Sequence, residues 1–229
     1  MQSPSNKIVN GHSYISYQHE IYSESQMISR SKEFYEWMNK RRTVRDFSSR
    51  RIDKQIIDNI LLTASTAPSG AHKQPWTFCV VTNLKVKKQI RIAAETEEKE
   101  SNENRMSEEW LQDIAPLQTD WQKPFLETAP ALIVVFKKAY SILPNGTKTS
   151  NYYVNESVGL ACGFLLAAIH HASLVALTHT PSPMNFLTKI LNRPENERPF
   201  LLIPIGYPSP DTLVPALTRK SLSDISEFL

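Results

Sequence analysis

The segment KRRTVRDFSSRR (residues 40–51) places five arginines, Arg41, Arg42, Arg45, Arg50 and Arg51, within eleven residues. A guanidinium fork matches two oxygens of a phosphate or carboxylate, and Thr43 adds a hydroxyl among the cations. The chemistry written there is anion capture. Residue types alone leave two other readings open. One is the solvated basic end of a helix. The other is a nucleic-acid patch, although the segment has a single aromatic, Phe47, and no accompanying motif. A second candidate is the turn Pro68-Ser69-Gly70 within TAPSGAHKQPWTF (66–78), between a helical and a strand pattern. Its backbone N–H groups could meet a ring or a phosphate, and an ordinary helix-to-strand turn has the same composition.

Other groupings carry less. The chain has only six glycines in 229 residues, where average usage gives about sixteen. No two are spaced as a phosphate-cradling GxGxxG or GxxxxGK[ST] loop, so any phosphorylated ligand must be held largely by side-chain cations. His170 and His171 are adjacent, hence about 100° apart on a helix, and do not form a chelating pair. The acidic run Glu95, Glu97, Glu98 and Glu100 has no metal-ligand spacing, and no metal is expected. Cys79 and Cys162 each sit in an apolar run and read as small buried hydrophobes in a reducing compartment. A net charge of +3 permits anionic small ligands without requiring nucleic acid. The longest apolar run, Val158 to Ile169, is shorter than the roughly twenty residues of a spanning helix, and the polar N-terminus has no hydrophobic signal core. A soluble, cytoplasmic protein with no membrane or nucleic-acid partner is expected.

The elements that must position these groups follow from periodicity and caps. Residues 1–27 show no sustained pattern and read as a polar arm. A helix follows from about Ser29, with Phe34, Tyr35, Trp37 and Met38 as its apolar stripe. Asp53 is an N-cap for a second helix carrying Ile56, Ile57, Ile60, Leu61 and Ala64. Trp76 to Thr82 reads as a strand, and Asn83 caps a charged helix to about Glu100. Residues 99–124, polar but with Trp110 and Trp121, read as a lid. Ala131–Lys137 is a second strand and Pro144-Asn145-Gly146 a turn. Val154–Ala172 is the most apolar helix, where Gly159 and Gly163 on one face allow either core packing or a subunit interface. Leu174–Leu177 reads as a strand, Met184–Leu191 as a short helix and Phe200–Ile205 as a fourth strand. Helices and strands alternate only partly, which favours an α+β domain over residues 28–229, a central mixed sheet flanked by helices.

RRTVR followed by APSGAHKQPW resembles the nitroreductase superfamily, whose members hold FMN without a glycine-rich loop. NYYVNESVG, ACGFLLAAIH, ALTHTPSPMNF and RPENERPFLLIPIGYP extend the likeness over about residues 27–225, and within the superfamily it is nearest to reductive dehalogenases of halotyrosines. The resemblance implies a nitroreductase-like fold built as an intertwined homodimer whose FMN sites draw on both subunits. It implies that Arg41, Arg42, Thr43, Arg45 and Arg219 bind the flavin, with the cations on its phosphate, and that Pro68, Ser69 and Gly70 contact the flavin from the turn. The resemblance also implies that Thr178, His179 and Thr180 form a further flavin contact, with the Thr180 hydroxyl at flavin N5 as the catalytic group, favouring one-electron steps. In the same way Ala71 offers its N–H to the substrate phenolate, Glu98 meets the substrate ammonium and Lys123 its carboxylate. Asn102 stands where the family carries a lid tyrosine. The implied reaction is reductive removal of halide from mono- and diiodotyrosine or other halotyrosines, with NAD(P)H, or a separate flavin reductase, as electron source. The alternative is reduction of nitroaromatics or quinones on the same flavin.

Overall fold

In the computed structural model residues 6–229 are described, and the chain divides into two units between Lys40 and Arg41. In the first unit Asn6–Val9 (β1) and His12–Ile15 (β2) pair antiparallel. Asn10 and Gly11 between them both take left-handed φ, 52° and 80°, the signature of an Asn-Gly type I′ turn. The part of the polar arm from residue 6 to 15 is thus a hairpin. Residues 1–5 lie outside the described residues. The first helix, Glu24–Asn39 (α1), begins earlier than its apolar stripe suggests, because Ser23 and Gln26 form a reciprocal capping box that fixes the start.

The second unit runs through Lys54–Ser65 (α2), a 3-10 turn at Gly70–His72, Trp76–Val81 (β3) and Leu84–Asn104 (α3). Glu108–Ile114 (α4), a 3-10 turn at Ala115–Leu117 and Phe125–Thr128 (α5) come next. Ala131–Lys138 (β4), Tyr140–Ile142 (β5), Lys148–Ser150 (β6) and Val154–His171 (α6) follow. Val175–Ala176 (β7), Asn185–Ile190 (α7), Glu197–Gly206 (β8) and Leu222–Ile225 (α8) complete it. Asp53 caps α2 by accepting from Gln55 N at 2.7 Å, and Asn83 caps α3. The segment 99–124 is more ordered than its polar composition suggests. Its first residues continue α3, where Lys99 and Glu103 pair one turn apart.

The main sheet has the order β3-β4-β8-β7. Its ladders are antiparallel, and Thr43 adds a parallel bridge to Ala176 at the edge. β4 is central, and its pleat splits the interior into two cores. Ala131, Ile133 and Val135 face Ile60, Val158 and Leu165 of α2 and α6. Leu132, Val134 and Phe136 face Ile90, Leu126 and Leu187 of α3, α5 and α7. A continuous apolar run in an antiparallel sheet is explained by helices covering both faces. β7 is shorter than its apolar pattern, and β8 begins at Glu197 rather than Phe200. There the buried Glu197 carboxylate accepts from Thr77 and pairs with Arg193, each at 2.7 Å, so a charged residue enters the sheet with its partners. Cys162 is buried and its thiol is pushed up to about 12 by desolvation, inert as expected. No helix among the described residues is long and apolar enough to cross a membrane.

Candidate active site

The arginine segment is laid along the end of the sheet. Val44 N donates to Ala176 O at 3.2 Å and Ser48 N to Tyr207 O at 2.9 Å, while Val44 and Phe47 bury their side chains as anchors. Arg41, Arg42, Thr43 and Arg45 then line a cavity of about 380 Å³, which Arg219 joins from the C-terminal tail. Arg42 donates to Pro215 O, and Arg219 donates to Arg41 O at 3.0 Å, so the tail is tied to the segment it faces. Burial, with the charges of Arg219 and Arg42 adding to it, lowers the Arg41 pKa from its usual value. Arg45 is lowered by burial, partly offset by Asp46. Desolvated cations crowded together in this way call for an anion. Arg50 and Arg51 take no part. Arg50 lies over the Tyr207 ring at 4.1 Å and Arg51 lines a separate cavity.

Other walls of the arginine cavity, Leu117, Pro215, Leu217 and Thr218, were not legible in the sequence. They are apolar or neutral residues, Leu117 in the 3-10 turn and the others in the C-terminal segment before Arg219, and nothing in their types marks them as near arginine.

The Pro68-Ser69-Gly70 turn contributes no residue to that cavity. Ser69 Oγ accepts from Gln74 N at 2.9 Å and so closes the turn on itself. Gly70 is required by its own subunit, because a Cβ there would stand 2.8 Å from Tyr152 O. Beyond it, Ala71, His72 and Gln74 take φ of 49°, 54° and 47°, a left-handed conformation that costs about 1–2 kcal/mol for each such residue. Ala71 is exposed.

Thr178, His179 and Thr180 continue the line of β7. Their burial alternates, with both threonines exposed and His179 buried, as a strand's side chains must. His179 exchanges backbone hydrogen bonds with Leu202, at 2.8 and 3.0 Å. Its ring points away from the threonine face and meets Phe125 edge-on, with centroids 5.7 Å apart. Burial, then the charges of Lys123 and Arg45, push the imidazole down to about 3. The ring is neutral at any working pH.

Glu98 and Lys123 are brought together. Lys123 Nζ stands 3.5 Å from Glu98 Oε2, with the two side chains 4% and 15% exposed respectively. Lys123 Nζ also donates to Thr119 Oγ1 at 3.2 Å and to Asp120 O. The Lys123 backbone N–H donates to Glu95 Oε1 at 2.7 Å, and Arg91 holds Glu95 in turn at 2.7 Å. In the residue pattern Glu98 reads as one more charge on a solvated acidic face, and the structure makes it half of a largely buried ion pair. Asn102 lies one turn further along α3, and its Oδ1 is buried without a hydrogen-bond partner among the described residues.

On α6, Gly159 and Gly163 have no described residue within 4 Å of where a Cβ would stand, and Leu160 and Phe164 beside them are exposed. Core packing within the subunit is not what those glycines serve.

The family model of the nitroreductase family matches residues 38–207. The chain is 64% identical over 207 residues to the iodotyrosine deiodinase of Haliscomenobacter hydrossis, covering 90% of this chain and 93% of that protein. It is 46% identical to iodotyrosine deiodinase 1 of Homo sapiens over 93% of this chain and 74% of that one. A crystal structure of oxidised iodotyrosine deiodinase bound to FMN and 3-iodo-L-tyrosine superposes with a TM-score of 0.73 at 33% identity, covering 85% of this chain and all of that one. Nitroreductase structures such as one with bound FMN from Bacteroides fragilis share the fold at 19% identity, with a TM-score of 0.63.

Proposed function

This chain belongs to the nitroreductase family, and from that premise we propose that it is an FMN-dependent reductive deiodinase of iodotyrosines and related halotyrosines. The observation that carries the substrate class is the Glu98–Lys123 pair. A carboxylate and an ammonium held together at low exposure match, charge for charge, the ammonium and carboxylate of an amino acid that enters between them.

The residues present fit the cofactor. Arg41, Arg42, Arg45 and Arg219 gather around one cavity, with Arg41 and Arg45 partly desolvated, the donor set a phosphate monoester takes, and Thr43 adds a hydroxyl. FMN, when bound, supplies the electrons that convert an aryl carbon–iodine bond to carbon–hydrogen with release of iodide. The chain's own part is binding and orientation. Glu98 and Lys123 exchange each other for the substrate zwitterion. The left-handed backbone at Ala71 presents an N–H suited to a phenolate. Thr180, exposed beside the buried His179, would offer its hydroxyl to the flavin, and Thr178 stands on the same face. Asn102 adds an amide oxygen on the Glu98 side of the clamp.

The site is read as shared between two copies of the chain. The turn at Ser69–Ala71 stands apart from the arginine cavity, and the Gly159/Gly163 face of α6 is open. Both facts support a homodimer in which each copy completes the other's site. NAD(P)H is the ultimate reductant, directly or through a separate flavin reductase.

The test is a steady-state assay of FMN-loaded protein with diiodotyrosine and with a nitroaromatic, under the same reductant. Iodide release with turnover favouring diiodotyrosine is expected. Reduction of the nitroaromatic without iodide release would replace this reading with a general nitroreductase.

A further inference from the structure

Among the described residues three buried side-chain atoms lack a hydrogen-bond partner: Asn102 Oδ1, Thr149 Oγ1 and His179 Nε2. His179 is the one set in an apolar core. It is 7% exposed, and its ring meets Phe125 edge-on, a member of the core cluster that also holds Leu177 and Leu202. A leucine or phenylalanine there would pack without leaving a polar atom unpaired, which is a destabilising arrangement. Both backbone hydrogen bonds to Leu202 fix the residue in register, so the ring cannot swing to the threonine face to find a partner.

Its neighbours indicate what that atom can serve. Phe125, against which the ring packs, is two positions from Lys123 along a short turn, with Leu126 N donating to Lys123 O at 3.0 Å. Lys123 and Arg45 are the cations whose charges act on the imidazole, and an uncharged ring retains one nitrogen lone pair. Lys123 is itself almost fully buried. Its ammonium is engaged by Glu98, Thr119 and Asp120, all from α3 or the segment after it. A zwitterion entering between Glu98 and Lys123 separates that pair and sets its carboxylate in Glu98's place, so what holds the buried ammonium toward that carboxylate must be an acceptor for one of its remaining N–H donors.

We propose that His179 is a positioning residue for the clamp: its Nε2 accepts a hydrogen bond from Lys123 Nζ when a substrate parts Lys123 from Glu98, fixing the ammonium where the substrate carboxylate meets it. This rests on the halotyrosine reading above and adds to it a residue on the opposite face of the strand from Thr178 and Thr180. The side chain that carries the role faces away from Thr178 and Thr180, and it acts on the substrate through Lys123 alone.

The experiment is a binding titration on the full-length, FMN-loaded protein, following flavin fluorescence. 3-Iodotyrosine is compared with 2-iodophenol, which keeps the ring and halogen but has no zwitterion. In wild type the amino acid binds more tightly than the phenol. His179→Phe keeps an aromatic ring without Nε2 and should reduce the ratio of the two affinities about tenfold, the scale of one hydrogen bond to a charged group. His179→Leu makes the same comparison if the larger ring does not fold. His179→Gln restores a polar atom near that place and should recover most of the ratio. An unchanged ratio in the Phe and Leu variants, or equal weakening of both ligands, overturns the proposal, because a merely structural role moves both alike. Failure of wild type to bind 3-iodotyrosine better than 2-iodophenol overturns the halotyrosine reading itself and, with it, this extension.

Discussion

The Glu98–Lys123 pair can be tested as a latch in the absence of substrate. At the observed 3.5 Å, Coulomb attraction between unit charges is about 5 kcal/mol at the effective dielectric of 20 that suits partly buried sites. Desolvation offsets much of this. Lys123 at 4% exposure has lost most of its water and Glu98 at 15% somewhat less, so the expected coupling is about 1.5–3 kcal/mol. Glu98→Gln should leave the Lys123 ammonium with only Thr119 and Asp120 as partners, and should lower stability by roughly 2–3 kcal/mol. Lys123→Met removes the charge but keeps an apolar stem, and leaves Glu98 free to turn to solvent, so its cost is smaller, about 1–2 kcal/mol. The double variant carries no unpaired buried charge and should be less destabilised than the sum of the two. The assay is urea unfolding of the four proteins at saturating FMN, followed by tryptophan fluorescence, for which Trp110 and Trp121 lie in the segment the latch holds. Additivity of the two substitutions within about 0.5 kcal/mol would refute the latch.

Three further outcomes follow from the same geometry. Gly70→Ala forces a methyl against the Tyr152 carbonyl at 2.8 Å and should cost about 1–3 kcal/mol, read as a lower urea midpoint. Arg45→Ala removes a desolvated cation from the arginine cavity. It should weaken FMN binding by at least tenfold without lowering the stability of the flavin-free protein, the two being measured by fluorescence titration and thermal melting. His179, held down to about 3 in the folded chain, takes up a proton near pH 6.5 when unfolded. The unfolded state binds more protons between those values, so its contribution is intact above pH 6.5 and is lost as pH falls toward 3, by about 5 kcal/mol in total. His179→Phe should flatten that part of the acid-unfolding profile, and a profile as steep as wild type would show that other groups cause it.

What could be read from the residues alone was chemistry concentrated in sequence. Arg41, Arg42, Thr43 and Arg45 are neighbours in the chain, and a short segment tied to Ala176 and Tyr207 delivers them to one cavity together. Asp53 announces α2 because a cap acts on the next turn, and β4 reads as a buried strand because both of its faces are covered. The features that stayed hidden depend on distance in sequence or on backbone shape. The β1–β2 hairpin exposes both faces of two short strands, so no apolar alternation marks it and only Asn10-Gly11 betrays the turn. Arg50 and Arg51 share the composition of Arg45 but lie past Phe47, where the chain turns along Tyr207 and carries them off to other surfaces. Glu98 was one acid among several until the fold brought Lys123 to it.

His179 is the sharpest case. Between two threonines it reads as one polar residue in a polar triplet, and alternation along the strand sends it to the opposite side from both. The same alternation that aims Thr178 and Thr180 outward puts an imidazole into a core of leucine and phenylalanine. A polar atom placed there by the backbone, and held there by Leu202, is constrained by the strand that carries the threonines. The two exposed threonine hydroxyls and the buried imidazole are therefore opposite faces of one short segment, which is why the flavin and clamp roles proposed above fall on neighbouring residues.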